Sequence, residues 1–299
     1  MESPIRPRRS VLYMPGANAR ALEKARGLAA DSLIPDLEDA VAVGEKERAR
    51  ALVAKTVAAR PYGRREVVIR INGFDTPWGE ADLEMAAAAA PDAILVPKVE
   101  TPDLVEWLAE RLGELGAPVA TRIWAMIETP AAILRVAEIA AASPRLACLV
   151  MGTNDLVNEL HAEHTPERLP VLTSLSLSLL AARANGLAII DGVHNAIRDL
   201  DGLRAVCRQA RQLGFDGKTL IHPGQIAVAN EVFAPDEAEL EQAGRIIAAF
   251  EAAEAEGRGV TVVDGRLVEN LHVENARRLM ALAEAIAMLE SERTQGEDG

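Results

Sequence analysis

Residues 122–130 have the sequence RIWAMIETP, and this stretch shows the pattern that predicts the fold. Five apolar residues, Ile123 to Ile127, follow one another without alternation, which is typical of a parallel β-strand covered on both faces. Glu128 ends the run, and Thr129-Pro130 leads into an Ala-rich, helix-like stretch at 130–142. The stretch predicts a strand that ends at a carboxylate and is followed by a helix.

The same unit, an apolar run followed by a polar loop and an Ala/Leu-rich amphipathic segment, recurs along the chain. The predicted strands are 11–14, 32–37, 66–72, 93–99, 122–128, 147–152, 188–191 and 218–222. The predicted helices include 19–30, 45–59, 101–115, 130–142, 172–185 and 201–213. Eight such units favour the α/β class and a closed (β/α)8 TIM barrel over an open doubly wound sheet.

The pattern changes after Phe233. A polar helix is predicted at 235–256, a short hairpin at 260–268 and an amphipathic helix at 269–290, with frayed residues at 291–299. We therefore predict two parts, a barrel at 1–233 and a C-terminal helical arm at 234–299.

The charge balance excludes several classes of partner. The chain has 45 acidic and 32 basic residues and a net charge of −13, which argues against nucleic acid or an anionic membrane as the main partner. No apolar stretch approaches the roughly 20 residues that span a bilayer, and no apolar segment follows the basic N-terminus. Cys148 and Cys207 lie in apolar surroundings without metal or pairing spacing, so we expect buried thiols and a cytoplasmic protein.

Polar side chains gather where the predicted strands end, which in a barrel is one mouth. Glu128 and Asp155 follow successive strands and are expected side by side. Two carboxylates, completed by water and substrate oxygens, match the way in which proteins bind Mg²⁺. The alternative is that Asp155 or Asn154 only caps the next helix.

Arg70 is a charged residue inside the apolar segment 67–72. One interpretation is a structural ion pair with a strand-end carboxylate, because a buried guanidinium needs an anionic partner. The other is binding of a substrate carboxylate or stabilisation of an enolate. Lys98 and His222 have both structural and functional interpretations. The sequence contains no HExxH, P-loop, GxSxG or CxxC motif and no GxGxxG after a strand.

An ordered set of segments resembles the citrate lyase beta-subunit-like family of the HpcH/HpaI aldolases. The segments are RSVLYMPGAN at 9–18, DLEDAV at 36–41, VIRIN at 68–72, VPKVE at 96–100, IETP at 127–130, GTNDL at 152–156 and IHPGQI at 221–226. The resemblance covers about residues 8 to 285 of the chain.

The resemblance implies a TIM barrel that assembles as a homo-oligomer, a trimer or hexamer, and acts on CoA-type or acyl-carrier thioesters. It implies that Glu128 and Asp155 bind Mg²⁺ and that Arg70 and Glu128 contact substrate. Lys24 would lie near CoA. In the mechanism expected for such a protein, main-chain N–H groups near Gly152 and Thr153 would face the substrate and stabilise its developing charge.

One departure of the arm from the family pattern bears on the chemistry. Many relatives carry Gly-Lys-Met-Ile/Val-Asp there, with an Asp that reaches a neighbouring subunit's site as acid or base. This chain has Gly-Arg-Leu-Val-Glu at 265–269, so Glu269 is the candidate acid or base, displaced by one methylene.

The main functional hypothesis is a Mg²⁺-dependent carbon–carbon lyase for a malyl, citramalyl or citryl thioester, giving a 2-keto acid and a shorter acyl-CoA. Two other enzyme hypotheses remain: a malyl-CoA-type thioesterase and a CoA-independent 2-keto acid aldolase. A hypothesis of another class is a non-catalytic subunit that binds acyl-CoA or an acyl carrier.

Overall fold

The computed structural model describes residues 5–297. These residues form two compact units. One is Arg8–Phe233, and the other contains the residues from Ala234 onward together with the short segment ahead of Arg8.

The unit Arg8–Phe233 is a closed barrel of parallel strands in chain order, with the last strand paired to the first. The strands are β1 (Ser10–Pro15), β2 (Ser32–Asp36), β3 (Glu66–Arg70), β4 (Ala93–Val96), β5 (Arg122–Ile127), β6 (Leu146–Met151), β7 (Ala188–Asp191) and β8 (Gly217–Leu220). The predicted TIM barrel is therefore confirmed. The predicted strands at 66–72, 93–99 and 218–222 extend past the ends of the observed ladders.

Helices follow the strands around the barrel. They are α1 (Ala19–Lys24), α2 (Lys46–Ala58), α3 (Gly79–Ala89), α4 (Pro102–Glu114), α5 (Pro130–Leu134), α6 (Val136–Ala141), α7 (Thr153–Glu159), α8 (Leu169–Ala184), α9 (Leu200–Leu213) and α10 (Ile226–Phe233). The predicted helix at 130–142 is two helices, because the chain leaves helical geometry at Arg135, where φ is −115° and ψ is 9°. The segments α3, α7 and α10 were not among the predicted helices.

The apolar side chains of the strands alternate between two clusters. One cluster consists of strand residues alone and fills the barrel interior: Val11, Ile34, Val68, Ala93, Leu95, Trp124, Met126, Cys148, Val150 and Ile190. The larger cluster joins the other strand face to the helices. Because side chains alternate along a strand, any residue two positions beyond an interior residue also points inward.

The N-terminal end of the barrel is closed by an ion pair. Arg8 donates from Nε and Nη2 to the Glu66 carboxylate at 2.6 and 2.8 Å, and its guanidinium lies 5.2 Å from the ring centre of Trp124. Trp124 is fully buried in the interior cluster. Cys148 and Cys207 are buried free thiols, as the sequence predicted.

The arm contains α11 (Glu237–Ala255), the hairpin strands β9 (Thr261–Val263) and β10 (Arg266–Val268), and α12 (Asn270–Glu297). Asp264 and Gly265 both have positive φ, 49° and 75°, as a two-residue type I′ hairpin requires. The helix α12 continues as far as Glu297, through most of the residues that the sequence predicts to be frayed. Residues 298 and 299 lie outside the described part. A groove of about 560 Å³ lies within the arm between the hairpin and its helices.

Every helix in the described range is too short or too polar to cross a bilayer.

Candidate active site

The barrel interior becomes polar at the C-terminal ends of four strands. The residues two positions beyond the last interior apolar side chains of β2, β3 and β5 are Asp36, Arg70 and Glu128, and Gly152 has the same place after β6. The period of two therefore directs these residues into one mouth, where the loops of a TIM barrel carry its chemistry.

Arg70 and Asp36 form a two-point ion pair across neighbouring strands, which place the two residues in register. Arg70 donates from Nε and Nη2 to the two oxygens of Asp36, both at 2.6 Å. Burial alone would lower the pKa of the Arg70 guanidinium, but the Asp36 carboxylate and its hydrogen bonds raise that pKa above its ordinary value. The structural interpretation of Arg70 thus holds for one edge of its guanidinium.

The other edge of Arg70 faces the loop after β2. Nη1 lies 2.6 Å from Glu38 Oε2 and donates to Asp39 Oδ2 at 3.3 Å. The Glu38 contact is an ion pair without an aligned hydrogen bond, since Oε2 has no hydrogen-bond partner within the described residues. The ring of Tyr13 lies 4.8 Å from the guanidinium carbon. Asp39 is 71% exposed, so an incoming anion can replace it at Nη1.

Glu38 is a titratable group that the predicted site residues did not include. Burial raises its pKa to about 7; Arg70 works in the opposite direction, and Asp39 and Asp36 raise the pKa further. A carboxyl that titrates near neutral pH can accept and release a proton in a reaction at that pH. The sequence signal was its position in DLEDAV directly after the end of β2.

Glu128 is a buried carboxyl held from one side. Its Oε1 accepts a 2.8 Å hydrogen bond from the main-chain N–H of Lys98. Burial raises its pKa to about 8; the Lys98 bond lowers it, and the nearby Asp155 and Glu38 carboxylates raise it. β5 and β6 pair as far as Ile127 and Met151, so Glu128 and the turn that leads to Asp155 follow neighbouring strands; their joint role in binding Mg²⁺ stays a prediction.

Gly152 leaves room for Glu128. A Cβ at 152 would lie well inside 3.0 Å of the Cβ and Oε2 atoms of Glu128, closer than real Cβ contacts come. The Gly152 N–H donates to Ile127 O at 3.1 Å, so it cannot also face a substrate. Thr153 is the buried first residue of α7, and its N–H follows that of Gly152 in the turn. This N–H precedes the first hydrogen bond within the helix, which runs from Leu156 N–H to Gly152 O.

Asp155 does not cap a helix. It is the third residue of α7, whose N-cap position is Gly152, and Asn154 pairs its side-chain amide with that of Asn195. Among residues 5–297, no group of three His, Cys, Asp or Glu side chains is placed to enclose a metal ion. The Asp155 carboxylate lies close enough to Glu128 to raise its pKa, and two carboxylates of this kind fit a Mg²⁺ ion that retains water or substrate oxygens as its other ligands.

Other strand-end residues serve the framework. Asp191 is fully buried, lies 2.6 Å from Lys218 Nζ and accepts two 2.7 Å bonds from Arg168. Ile190 belongs to the interior cluster, so Asp191 points outward toward the helices. His222 accepts from the N–H of Gly224 at 3.0 Å, which is a local turn contact.

Two predicted site residues lie outside the strand-end set. Lys24 is an exposed residue in the last turn of α1. Glu269 belongs to the arm and directly precedes α12, where its N–H donates to His272 Nδ1 at 3.1 Å. The roles of both residues remain predictions.

The barrel with carboxylates at the ends of β5 and β6 defines a class of TIM-barrel proteins with a candidate Mg²⁺ site. Residues 9–223 match the sequence model of the HpcH/HpaI aldolase/citrate lyase family. The chain belongs to this family, as the sequence resemblance indicated.

Similar proteins have two kinds of name. A (3S)-malyl-CoA thioesterase of Cereibacter sphaeroides (strain KD131) is 57% identical over 94% of this chain and 96% of its own length. The citrate lyase subunit beta of Escherichia coli K12 is 37% identical over 93% of this chain and 94% of its own.

Solved structures agree with the fold. The CitE protein of Mycobacterium tuberculosis in complex with magnesium, acetoacetate and coenzyme A is 31% identical, with a TM-score of 0.75, and the match covers 93% of this chain and 98% of that one. Family members named here are enzymes, and structures of this fold hold Mg²⁺.

Proposed function

We propose that this protein is a Mg²⁺-dependent enzyme that hydrolyses a malyl-type CoA thioester to the free hydroxy acid and CoA. The observation that carries the choice of hydrolysis is the 57% identity to a (3S)-malyl-CoA thioesterase across nearly the whole of both chains. The strand-end carboxylates support a metal-dependent reaction, and the CitE structure in complex with magnesium, acetoacetate and coenzyme A supports a CoA thioester.

Glu128 and Asp155 are the proposed Mg²⁺ ligands. When bound, the ion supplies Lewis-acid polarisation of substrate oxygens and neutralises the negative charge that gathers at the mouth. Lys98 N–H occupies Oε1 of Glu128, which leaves Oε2 for the cation. Because Gly152 has no side chain, the Glu128 carboxylate can occupy the space next to it.

Arg70 is the proposed anchor for the substrate carboxylate. Asp36 occupies its Nε and Nη2 atoms and fixes the plane of the guanidinium, while Nη1 lies between Glu38, at 2.6 Å, and the exposed Asp39, at 3.3 Å. A substrate carboxylate that replaces Asp39 receives a charge-assisted hydrogen bond from a group that is already oriented. Thr153 is proposed to donate its N–H to a substrate oxygen, and Lys24 to contact the CoA phosphates.

Glu38 is the proposed proton carrier for hydrolysis. With a pKa near 7 it is partly ionised at neutral pH and removes a proton from water. The water oxygen bonds to the acyl carbon and the carbon–sulfur bond breaks. The thiolate then takes the proton from Glu38, giving malate and the CoA thiol.

A second candidate is cleavage of a carbon–carbon bond in the same substrate class. The 37% identity to citrate lyase beta subunits over 93% of the chain favours it. In that reaction a base takes the hydroxyl proton, the carbon–carbon bond breaks to release the 2-oxo acid, Arg70 stabilises the thioester enolate, and the enolate carbon takes a proton to give the shorter acyl thioester. We propose Glu269 from the arm of a neighbouring copy in a trimer or hexamer as the base for that route.

Variant kinetics test the proposed cation site. Glu128→Ala and Asp155→Ala should each lower kcat/KM for malyl-CoA at least a thousandfold at saturating Mg²⁺, because each removes half of the proposed protein ligands. The exposed acid Glu110 on α4 provides a matched control, and Glu110→Ala should retain wild-type rates. Wild-type turnover by either site variant, or equal rates in Mg²⁺ and EDTA, would refute the proposed mechanism.

A further inference from the structure

Lys98 has a main-chain conformation that side chains of its kind rarely adopt. Its φ is 48°, in the left-handed region, and the residue follows Pro97 directly beyond the end of β4. Steric contact of Cβ with the backbone disfavours this region for residues other than glycine, asparagine and aspartate. Such strain persists where the surrounding structure holds it, often next to a functional group.

The left-handed turn changes the direction of two consecutive N–H groups. In a regular strand, successive N–H groups point to opposite neighbouring strands. Here the Lys98 N–H donates to Glu128 Oε1 at 2.8 Å, and the next N–H, of Val99, donates to Met126 O at 3.3 Å. Both donors therefore face β5 and the residue that ends it. Pro97 has no N–H that would need a partner.

The side chain of Lys98 has no part in this contact. It is exposed and makes no hydrogen bond or ion pair with any residue between 5 and 297. The contact that reaches the buried carboxylate belongs to the main chain. The requirement on position 98 is thus a backbone conformation rather than an amine.

We infer that Lys98 is a positioning residue: its left-handed main chain aims an amide at Oε1 of Glu128 and thereby presents Oε2 to the cation. This inference rests on the proposed function, because it assigns Glu128 as a cation ligand. It names a determinant of cation affinity that lies outside the ligand set and acts through geometry alone. A carboxylate held by a fixed donor binds without first being ordered.

Calorimetric Mg²⁺ binding to the full chain, without substrate, separates the main chain from the side chain at this position. Glycine and asparagine accept positive φ, so Lys98→Gly and Lys98→Asn should bind Mg²⁺ within about threefold of wild type. A β-branched residue does not, so Lys98→Val should turn the amide away and weaken binding at least about tenfold, the effect of losing one hydrogen bond to a buried charge. If Lys98→Gly binds Mg²⁺ like wild type, the ammonium group of Lys98 is not what supports the affinity.

Arg60 offers a matched control. It has the same φ of 48°, is exposed, and follows α2 at the opposite end of the barrel from the strand-end carboxylates. Arg60→Val should lower the thermal midpoint as Lys98→Val does and leave Mg²⁺ affinity unchanged. If Lys98→Gly loses as much affinity as Lys98→Val, or if Lys98→Val binds like wild type, the inference is wrong.

Site-resolved hydrogen exchange of the Lys98 amide gives a readout that does not depend on the cation. The amide should be protected in wild type, in Lys98→Gly and in Arg60→Val, and should exchange at least tenfold faster in Glu128→Ala, which lacks the acceptor. An unprotected amide in the wild-type chain would overturn the inference. A wild-type chain that protects the amide and binds no Mg²⁺ would instead overturn the proposed function.

Discussion

Replacing Gly152 by alanine is the smallest change that should disable the proposed cation site. The new Cβ would overlap Cβ and Oε2 of Glu128, and both belong to a buried side chain that cannot move freely. Side-chain rotation cannot move the Cβ of Glu128, so the main chain at 128 or 152 must shift, which displaces the carboxylate and breaks the 2.8 Å bond from Lys98 N–H to Oε1. A hydrogen bond to a buried charge contributes about 1.5–3 kcal/mol, so Mg²⁺ affinity should fall roughly tenfold to a hundredfold.

The same overlap should reduce stability. Overpacking a closely packed interior by one methyl group costs about 1–3 kcal/mol, which lowers the thermal midpoint by several degrees. Isothermal titration with Mg²⁺ measures the affinity, and calorimetric unfolding measures the stability. Neither measurement requires knowledge of the substrate.

Gly113 provides the matched control. It lies exposed in α4, and no atom comes within 4 Å of the position of a Cβ added there. Gly113→Ala should stabilise the protein by about 0.5–1 kcal/mol and leave Mg²⁺ binding unchanged. If Gly152→Ala binds Mg²⁺ as tightly as wild type, the geometry argued for Glu128 is not that of a cation site.

Three further outcomes follow from the charged groups of the barrel. Lys218 and Arg168 depress the pKa of Asp191, whereas burial acts in the opposite direction. The ion pairs of Asp191 therefore stabilise the folded protein above the ordinary pKa of an aspartate, about 3.9, and this contribution is lost as the pH falls through the depressed pKa. Asp191→Asn should therefore be less stable by about 3–5 kcal/mol at pH 7, because its two cations lose their counter-charge, and this difference should narrow in thermal unfolding as the pH falls below about 4. Burial raises the pKa of Glu128 to about 8, so Mg²⁺ must displace a proton from Glu128 below that pH. The affinity for Mg²⁺ should therefore rise up to about tenfold per pH unit and level off above pH 8. An affinity that does not change with pH would contradict this expectation. Arg70→Lys should lower kcat/KM at least tenfold with Mg²⁺ affinity within threefold of wild type, because one ammonium group cannot hold both oxygens of Asp36 and still face the substrate.

The barrel was predictable because each strand has a short apolar run in the sequence. The ends of the strands were less clear. The predicted strand at 93–99 continues past Val96, since VPKVE is apolar enough to resemble a strand, while Pro97 and the left-handed Lys98 interrupt the ladder. Local backbone geometry of this kind depends on the Glu128 contact and is not visible in hydropathy.

The site was predictable where a residue stands alone at the end of an apolar run. Glu128 ends β5 and Asp155 follows β6, and these successive parallel strands end at the same mouth, while their role as Mg²⁺ ligands stays a prediction. Asp191 also follows an apolar run but points outward; Ile189 and Ile190 are both apolar because β7 is covered on both faces, so the sequence does not show which way Asp191 points. The sequence did not predict which carboxylates pair with each edge of the Arg70 guanidinium, because several carboxylates lie close together at and after the end of β2.

The most direct test of the proposed reaction is the fate of malyl-CoA in water enriched in ¹⁸O, followed by mass spectrometry with Mg²⁺ or with EDTA. Hydrolysis predicts free CoA and malate that carries one ¹⁸O atom in a carboxylate, formed only when Mg²⁺ is present. Appearance of acetyl-CoA and glyoxylate without labelled malate would contradict hydrolysis and assign the site to carbon–carbon cleavage.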